Sequence, residues 1–182
     1  MGTIIVIGVP GVGKTTVVTR ASELAGVPVA VYGSEMFEQA KARGLVEDRD
    51  EMRKLPAKTQ KEIQERAAEN IATRGRVVVD THGFIQTPVG FLPGLPEWVA
   101  RRLDPSVIVL VESDPIEISS RRADDATRVR DEDSADNIAM HQEMNRNAAS
   151  AVAFLSGATV AIIENRQGEA ETAAKQLARL LE

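Results

Sequence analysis

Residues 8–16, GVPGVGKTT, hold the residue types best suited to binding phosphate in this chain of 182 residues. The apolar run Thr3–Ile7 precedes them and reads as a β-strand, and the amphipathic segment Lys14–Ala25 follows and reads as a helix. This strand, loop and helix order is the context that the G-x-x-x-x-G-K-[ST] phosphate-binding pattern requires. It predicts a P-loop that binds a nucleoside triphosphate. The predicted cradle consists of Gly8, Val9, Pro10, Gly11, Val12, Gly13, Lys14, Thr15 and Thr16.

The chemistry of the loop follows from its residue types. Gly8, Gly11 and Gly13 can adopt backbone conformations that other residues resist, so successive N–H groups can point at phosphate oxygens. Lys14 adds a positive charge, and the positive end of the following helix faces the same anion. The Thr15 hydroxyl can hold Mg²⁺, which makes a nucleoside triphosphate with Mg²⁺ the expected ligand pair.

Composition and charge narrow the class of protein. The chain is 43% hydrophobic and 27% charged, which is typical of a single globular domain. Its net charge of −5 argues against a duplex nucleic-acid surface, because neutralising phosphates requires a basic face. It has no cysteine, and no stretch approaches the roughly 18 apolar residues of a membrane span. We therefore expect a cytoplasmic protein with neither nucleic-acid nor membrane partners.

Strand and helix patterns alternate along the chain and predict an α/β fold, a five-stranded parallel sheet with helices on both faces. The predicted strands are residues 3–7, 29–32, 76–80, 107–111 and 159–163. The helix after the P-loop is predicted to bury Val17, Ala21 and Leu24, and a long helix over residues 135–155 to bury Met144, Ala148, Val152 and Leu155.

The charged helical segment between the second and third strands suggests a mobile flap. We therefore expect one domain, with a core of residues 1–32, 76–121 and 135–182, a flap of residues 33–75 and a lid of residues 122–134.

Asp80 ends the third predicted strand. Ligands of parallel sheets gather outside the carboxyl ends of the strands, where the P-loop also lies. Asp80 is therefore predicted to face Mg²⁺ together with Thr15, although an aspartate at a strand end also commonly caps a turn.

Residues 121–134, RRADDATRVRDEDS, crowd arginines and acids into one polar segment. Composition alone favours a solvated loop of compensating charges. Phosphoryl transfer, however, needs several cations around the transferring group, and the P-loop supplies only Lys14. We interpret residues 122–134 of this segment as a lid that delivers arginines to the phosphates.

Five segments together resemble archaeal-type adenylate kinase. They are GVPGVGKTT at 8–16, GSEMFE at 33–38, VEDRDEMRKL at 46–55, VVVDTHGFIQTPVGFLPGLP at 77–96 and RRADDATRVRD at 121–131. The resemblance runs through nearly the whole chain in the same order. It implies a P-loop nucleoside monophosphate kinase fold with a helical monophosphate-binding flap and a short lid. It also implies the reversible, Mg²⁺-dependent reaction of ATP and AMP to two ADP, and a homotrimer.

The resemblance also implies roles for individual residues. Ser34 and Arg53 would hold AMP, Met36 and Phe37 would line its pocket, and Gln86 would lie near its base. Gln86 departs from the family, where a lysine is expected. The expected catalytic cations are Lys14, Arg122, Arg128, Arg130 and Arg146.

Two other functions stay open at this point. Another small P-loop kinase could phosphorylate a different monophosphate or a small alcohol, because the acceptor pocket and not the fold sets the substrate. A nucleotide switch or ATPase is more distant, because no guanine-reading N-K-x-D segment is present and the arginines are supplied by the chain itself.

Overall fold

The computed structural model describes residues 2–124 and 134–182. In chain order its elements are β1 (Thr3–Ile7), α1 (Lys14–Ala25), β2 (Val29–Val31), α2 (Tyr32–Ala42), a 3₁₀ turn (Arg49–Lys54), α3 (Ala57–Ala72), β3 (Val78–Asp80), β4 (Phe84–Thr87), β5 (Gly90–Pro93), α4 (Glu97–Leu103), β6 (Pro105–Glu112), α5 (Pro115–Asp124), α6 (Ala135–Ser156), β7 (Thr159–Glu164) and α7 (Ala170–Leu180).

The central sheet has five strands in the order β2-β3-β1-β6-β7, and every neighbouring pair is parallel. The strand β1 lies in the middle and all five of its residues are buried, as a continuous apolar run predicts. In the β1–β3 register Val6 aligns with Asp80. The end of β3 therefore lies beside the start of the P-loop.

Helices cover both faces of this sheet. On one face α1 and α7 pack together and bury Val17 and Leu177, and on the other α3, α4 and α6 bury Ile71, Val99 and Val152. The predicted α/β fold with a five-stranded parallel sheet is confirmed. A smaller apolar cluster of Ala40, Val46 and Ile63 holds α2, the 3₁₀ turn and α3 together as the segment we predicted to be a flap.

The segment between β3 and α4 differs from the sequence prediction. We expected an irregular loop, because glycines and prolines interrupt every pattern there. The structure instead forms an antiparallel hairpin of β4 and β5, in which Gly90 has a φ of 130° and Thr87 donates its hydroxyl to the Gly90 carbonyl at 2.8 Å. Phe84 and Phe91 pack edge to face across the hairpin, with ring centroids 6.3 Å apart.

Two predicted core leucines are exposed. Leu24 is 55% exposed and Leu155 is 50% exposed, whereas Val17, Ala21, Ala148 and Val152 are buried as predicted. Met144 is only partly buried. Leu24 and Leu155 lie in the last turns of α1 and α6, where helical periodicity sets the direction of a side chain but not whether another element covers it.

Candidate functional site

An elongated cavity of about 880 Å³ lies at the carboxyl end of the sheet. The P-loop forms one end of it and the segment around α2 and α3 forms the other, while the hairpin supplies part of the wall. The lining residues are Val9, Pro10, Gly11, Gly13, Lys14, Thr15, Thr16, Val31, Tyr32, Gly33, Met36, Arg49, Gln64, Asp80, Thr81, His82, Ile85, Leu92, Pro93, Gly94 and Arg121.

Glycine is required at two positions of the P-loop. Gly11 and Gly13 have φ values of 84° and 87°, in the left-handed region that other residues avoid. The Val12 N–H donates to the Val9 carbonyl at 3.3 Å and closes the turn between them. The helix α1 begins directly afterwards at Lys14. Its first N–H groups have no partner within the helix, so they are available to an anion in the cavity.

The Lys14 side chain crosses the cavity floor. Its ammonium group hydrogen-bonds and pairs with the Asp80 carboxylate and donates to the Thr81 carbonyl at 2.7 Å. The side chains of Lys14 and Asp80 are each only 10% exposed. Burial lowers the pKa of Lys14, and the charge of Asp80 opposes that shift. Asp80 and Lys14 therefore lie in contact at the place where the strand-end argument put them.

His82 forms part of the same wall. His82 is exposed as a residue, but atoms packed around its ring and the nearby Lys14 charge lower its pKa below the usual value for histidine. Its imidazole is therefore neutral at pH 7. The neutral His82 ring adds no positive charge beside Asp80, so the cation that contacts Asp80 is Lys14.

Thr15 and Asp80 suit the magnesium ion that ATP chemistry requires. Both line the cavity and offer oxygen atoms, the donors that Mg²⁺ prefers. Within residues 2–124 and 134–182, no group of three or more histidine, cysteine or acidic side chains could hold a metal.

The two arginines at the end of α5 donate hydrogen bonds to backbone carbonyls of the P-loop. Arg122, predicted to close over the phosphates, donates its Nε to the Pro10 carbonyl at 2.8 Å. Arg121 donates to the Val12 carbonyl at 3.2 Å and to the Asn165 carbonyl at 2.9 Å. Arg121 lines the cavity and Arg122 does not.

Arg146 lies away from the P-loop cavity in this structure. Its guanidinium makes a bidentate pair with Glu112, with Nε to Oε1 at 2.8 Å and Nη2 to Oε2 at 2.6 Å, and this hydrogen bonding raises the pKa of Arg146. Both residues line a second cavity of about 640 Å³ beside α5 and α6. The other two expected cations, Arg128 and Arg130, lie outside the described residues.

At the flap end, the residues that line the cavity are only partly those expected. Met36 lines it, whereas Ser34 and Phe37 do not. The Ser34 hydroxyl accepts a hydrogen bond at 2.7 Å from Arg49, which lines the cavity. The Arg49 guanidinium lies 5.5 Å from the centroid of the Phe37 ring. Arg53, four residues later, is exposed and does not line the cavity.

Sequence reasoning missed Arg49 and Gln64 at this end of the cavity. Arg49 belongs to the same charged segment as Arg53, and spacing alone could not choose between them. Gln64 lies on α3, where its amide oxygen accepts from the Trp98 indole at 2.9 Å. No sequence signal singles out Gln64.

The hairpin presents one side to the cavity. Ile85 and Leu92, which pair across the two strands, both line it, whereas the intervening Gln86 is exposed and does not. The helix α6 fixes the hairpin through His141, whose Nε2 lies 2.9 Å from the Phe84 carbonyl, and Asn145, which accepts from the Phe84 N–H at 3.0 Å.

Comparisons with known proteins agree with this geometry. A family model described as an AAA domain matches residues 7–139. Adenylate kinase from Thermoplasma volcanium is 50% identical over 97% of this chain and 98% of its own length, and adenylate kinase from Methanopyrus kandleri is 54% identical over 97% and 96%.

Solved structures support the fold alone. A shikimate kinase from Acinetobacter baumannii has a TM-score of 0.63 at 17% identity, covering 100% of this chain and 93% of that chain. A gluconokinase from Sinorhizobium meliloti has a TM-score of 0.55 at 17% identity, covering 99% and 93%. Across the described part of the chain, none of the helices has the length and apolar character needed to cross a bilayer.

Replacement of Lys14 by methionine tests the P-loop. Lys14→Met removes the cation on the cavity floor, so we expect weaker triphosphate binding and a fall in kcat of at least about 10²-fold, the scale for losing one preorganised donor. Calorimetry and steady-state kinetics measure the two effects. Lys175→Met is the matched control, because Lys175 is 61% exposed on α7 and pairs only loosely with Glu171. A folded Lys14→Met protein with near-normal activity would contradict the assignment.

Proposed function

The chain belongs to the adenylate kinase family, and we propose that it catalyses the reversible, Mg²⁺-dependent transfer of a phosphoryl group from ATP to AMP, giving two ADP. Relatives of this name are about half identical to it over nearly the whole chain. The single structural observation that carries the proposal is the continuous cavity, which joins a phosphate loop at one end to an arginine and an apolar wall at the other.

The P-loop end of the cavity would bind the triphosphate. The N–H groups of the P-loop and the first turn of α1 would bind the β- and γ-phosphates, and Lys14 would turn from Asp80 toward them. Thr15 would bind Mg²⁺ directly and Asp80 through water. The ion, when bound, neutralises charge on the phosphate oxygens. Because AMP is already an anion at its phosphate, no general base is needed.

The acceptor end would bind AMP. We propose that Arg49 and Ser34, which hydrogen-bond each other, lie where they can contact its phosphate or ribose, while Met36 and Phe37 pack near its base. Arg53 remains a second candidate. It ranks below Arg49 because it would have to move to reach the cavity. Gln86 would need a rearrangement of the hairpin to contact the base.

The remaining cations belong to a closed state. We propose that Arg122, Arg128 and Arg130 move over the phosphates when both substrates are bound, and that Arg146 exchanges Glu112 for phosphate oxygens. Closure would exclude water, which would otherwise accept the phosphoryl group in place of AMP. In this proposal the lid is residues 122–134 and the flap is residues 33–75, and both would move relative to the remaining core.

A homotrimer in the cytoplasm completes the proposal. Exposed apolar side chains on α6 and β7 support self-association: Phe154 is 93% exposed, and Leu155 and Ile162 are about half exposed. The lack of cysteine is compatible with a reducing compartment. Sedimentation equilibrium of the purified protein should give three times the 19.7 kDa chain mass, and a species of one chain mass would reject the trimer.

The substrate test is a coupled assay with Mg-ATP and one acceptor at a time: AMP, CMP, UMP, GMP or shikimate. We expect AMP to have the highest kcat/KM, with diadenosine pentaphosphate inhibiting at both ends of the cavity. Preference for another monophosphate would assign the chain a different acceptor. Phosphate release from ATP without any acceptor would favour the ATPase alternative.

A pair of arginine variants tests the acceptor end. Arg49→Ala should raise the KM for AMP by about tenfold or more and leave the KM for ATP nearly unchanged, because a charge-assisted contact to one substrate is lost. Arg53→Ala is the comparison, on the same 3₁₀ turn but outside the cavity wall. If Arg53→Ala raised the KM for AMP and Arg49→Ala did not, Arg53 and not Arg49 would be the arginine that contacts AMP.

A further inference from the structure

The Val12 carbonyl of the P-loop accepts two hydrogen bonds from distant parts of the chain. The Asn165 side-chain amide donates to it at 2.7 Å and Arg121 donates at 3.2 Å. Asn165 directly follows β7 and is only 4% exposed. Its own backbone is fixed on both sides, because its N–H donates to Glu112 at 2.7 Å and its carbonyl accepts from Arg121 at 2.9 Å.

Holding this carbonyl also sets the direction of an N–H group. In a trans peptide the C=O of one residue and the N–H of the next point to opposite sides of the chain. With the Val12 carbonyl fixed toward Asn165, the Gly13 N–H is directed to the other side, and Gly13 lines the cavity. Arg122 holds the Pro10 carbonyl in the same way at 2.8 Å, which directs the Gly11 N–H.

The fit between Asn165 and Gly13 is close. A Cβ atom built on Gly13 would lie 2.4 Å from the Asn165 amide nitrogen, so the absence of a side chain at Gly13 makes room for this contact. Among the described residues the Asn165 Oδ1 atom is buried without a hydrogen-bond partner. An unpaired buried acceptor costs free energy, so this amide contributes less to the stability of the fold than a fully paired amide would.

We propose that Asn165 is a positioning residue for the P-loop: by holding the Val12 carbonyl away from the cavity, it directs the Gly13 N–H at the phosphates of the nucleotide. Asn165 touches the loop and not the reacting atoms. The inference rests on the proposed function only insofar as the P-loop binds a nucleoside triphosphate, and it is independent of the acceptor.

The test measures binding of tripolyphosphate and of ATP, each by calorimetry, to Asn165→Ala. Loss of the orientation of one phosphate-binding N–H should weaken both ligands by a similar factor of about tenfold. The KM for AMP should stay within about twofold, because the flap end has no contact with Asn165. Asn165→Ser is measured in parallel and keeps the test open if Asn165→Ala fails to fold.

Gln142→Ala is the matched control. Gln142 is also a buried amide, and its side chain donates to the Ser113 carbonyl at 3.1 Å and accepts from the Ser113 N–H at 3.2 Å, away from the P-loop. Gln142→Ala should lower the Tm much as Asn165→Ala does and leave tripolyphosphate affinity within about twofold. Equal weakening by both variants would mean general loosening and overturn the proposal.

The two ligands separate the proposal from other roles of Asn165. Weakened ATP binding with normal tripolyphosphate binding would mean that Asn165 contacts the base, which overturns the positioning role. Unchanged affinity for both ligands would overturn it as well. If the parent protein failed to phosphorylate AMP while tripolyphosphate binding still depended on Asn165, the proposed function would fail and this inference would stand.

Discussion

The contact between Lys14 and Asp80 is the interaction around which the site is built. It joins the first residue of α1 to the last residue of β3, two elements that are 66 residues apart in the chain. The contact depends on the parallel register that aligns Asp80 with Val6, because a shift by one residue would turn the carboxylate to the other face of the sheet. The buried pair places a cation and an anion together in the wall of the cavity.

The P-loop is also held by hydrogen bonds from other elements of the fold. Its carbonyl groups at Pro10 and Val12 accept hydrogen bonds from α5, and Val12 accepts a further one from the residue after β7. The glycines give the loop its freedom, and these contacts limit that freedom to one arrangement. Arg121 and Arg122 lie on α5, the helix that leads into the predicted lid. A shift of α5 would therefore displace the P-loop carbonyls to which these arginines are hydrogen-bonded.

The end of the cavity away from the P-loop is held by different contacts. Two side chains of α6, His141 and Asn145, fix the backbone of Phe84, so that the hairpin presents Ile85 and Leu92 to the cavity. The flap has its own small apolar cluster and packs on the rest through α3 and α4. The segment is also anchored in the main core, where Ala67 and Ile71 of α3 are buried.

Local sequence pattern was enough to predict many features of this protein. The P-loop, the limits of β1 and α1, the alternation of strands and helices, and the placement of Asp80 near Lys14 all follow from residue type, periodicity and the rule that strand ends meet at one edge of a parallel sheet. These features depend on neighbours in sequence or on backbone geometry common to all such sheets.

Tertiary structure decided the rest, because the outcome depended on which distant group lay within reach. Sequence could not show that Arg122 would contact the Pro10 carbonyl, that Arg146 would pair with Glu112, or that Arg49 and not Arg53 would line the cavity. A long flexible side chain reaches several possible partners, and only the packed fold selects one. The same reason explains the hairpin, whose strands are held by ring contacts and by hydrogen bonds to side chains of α6.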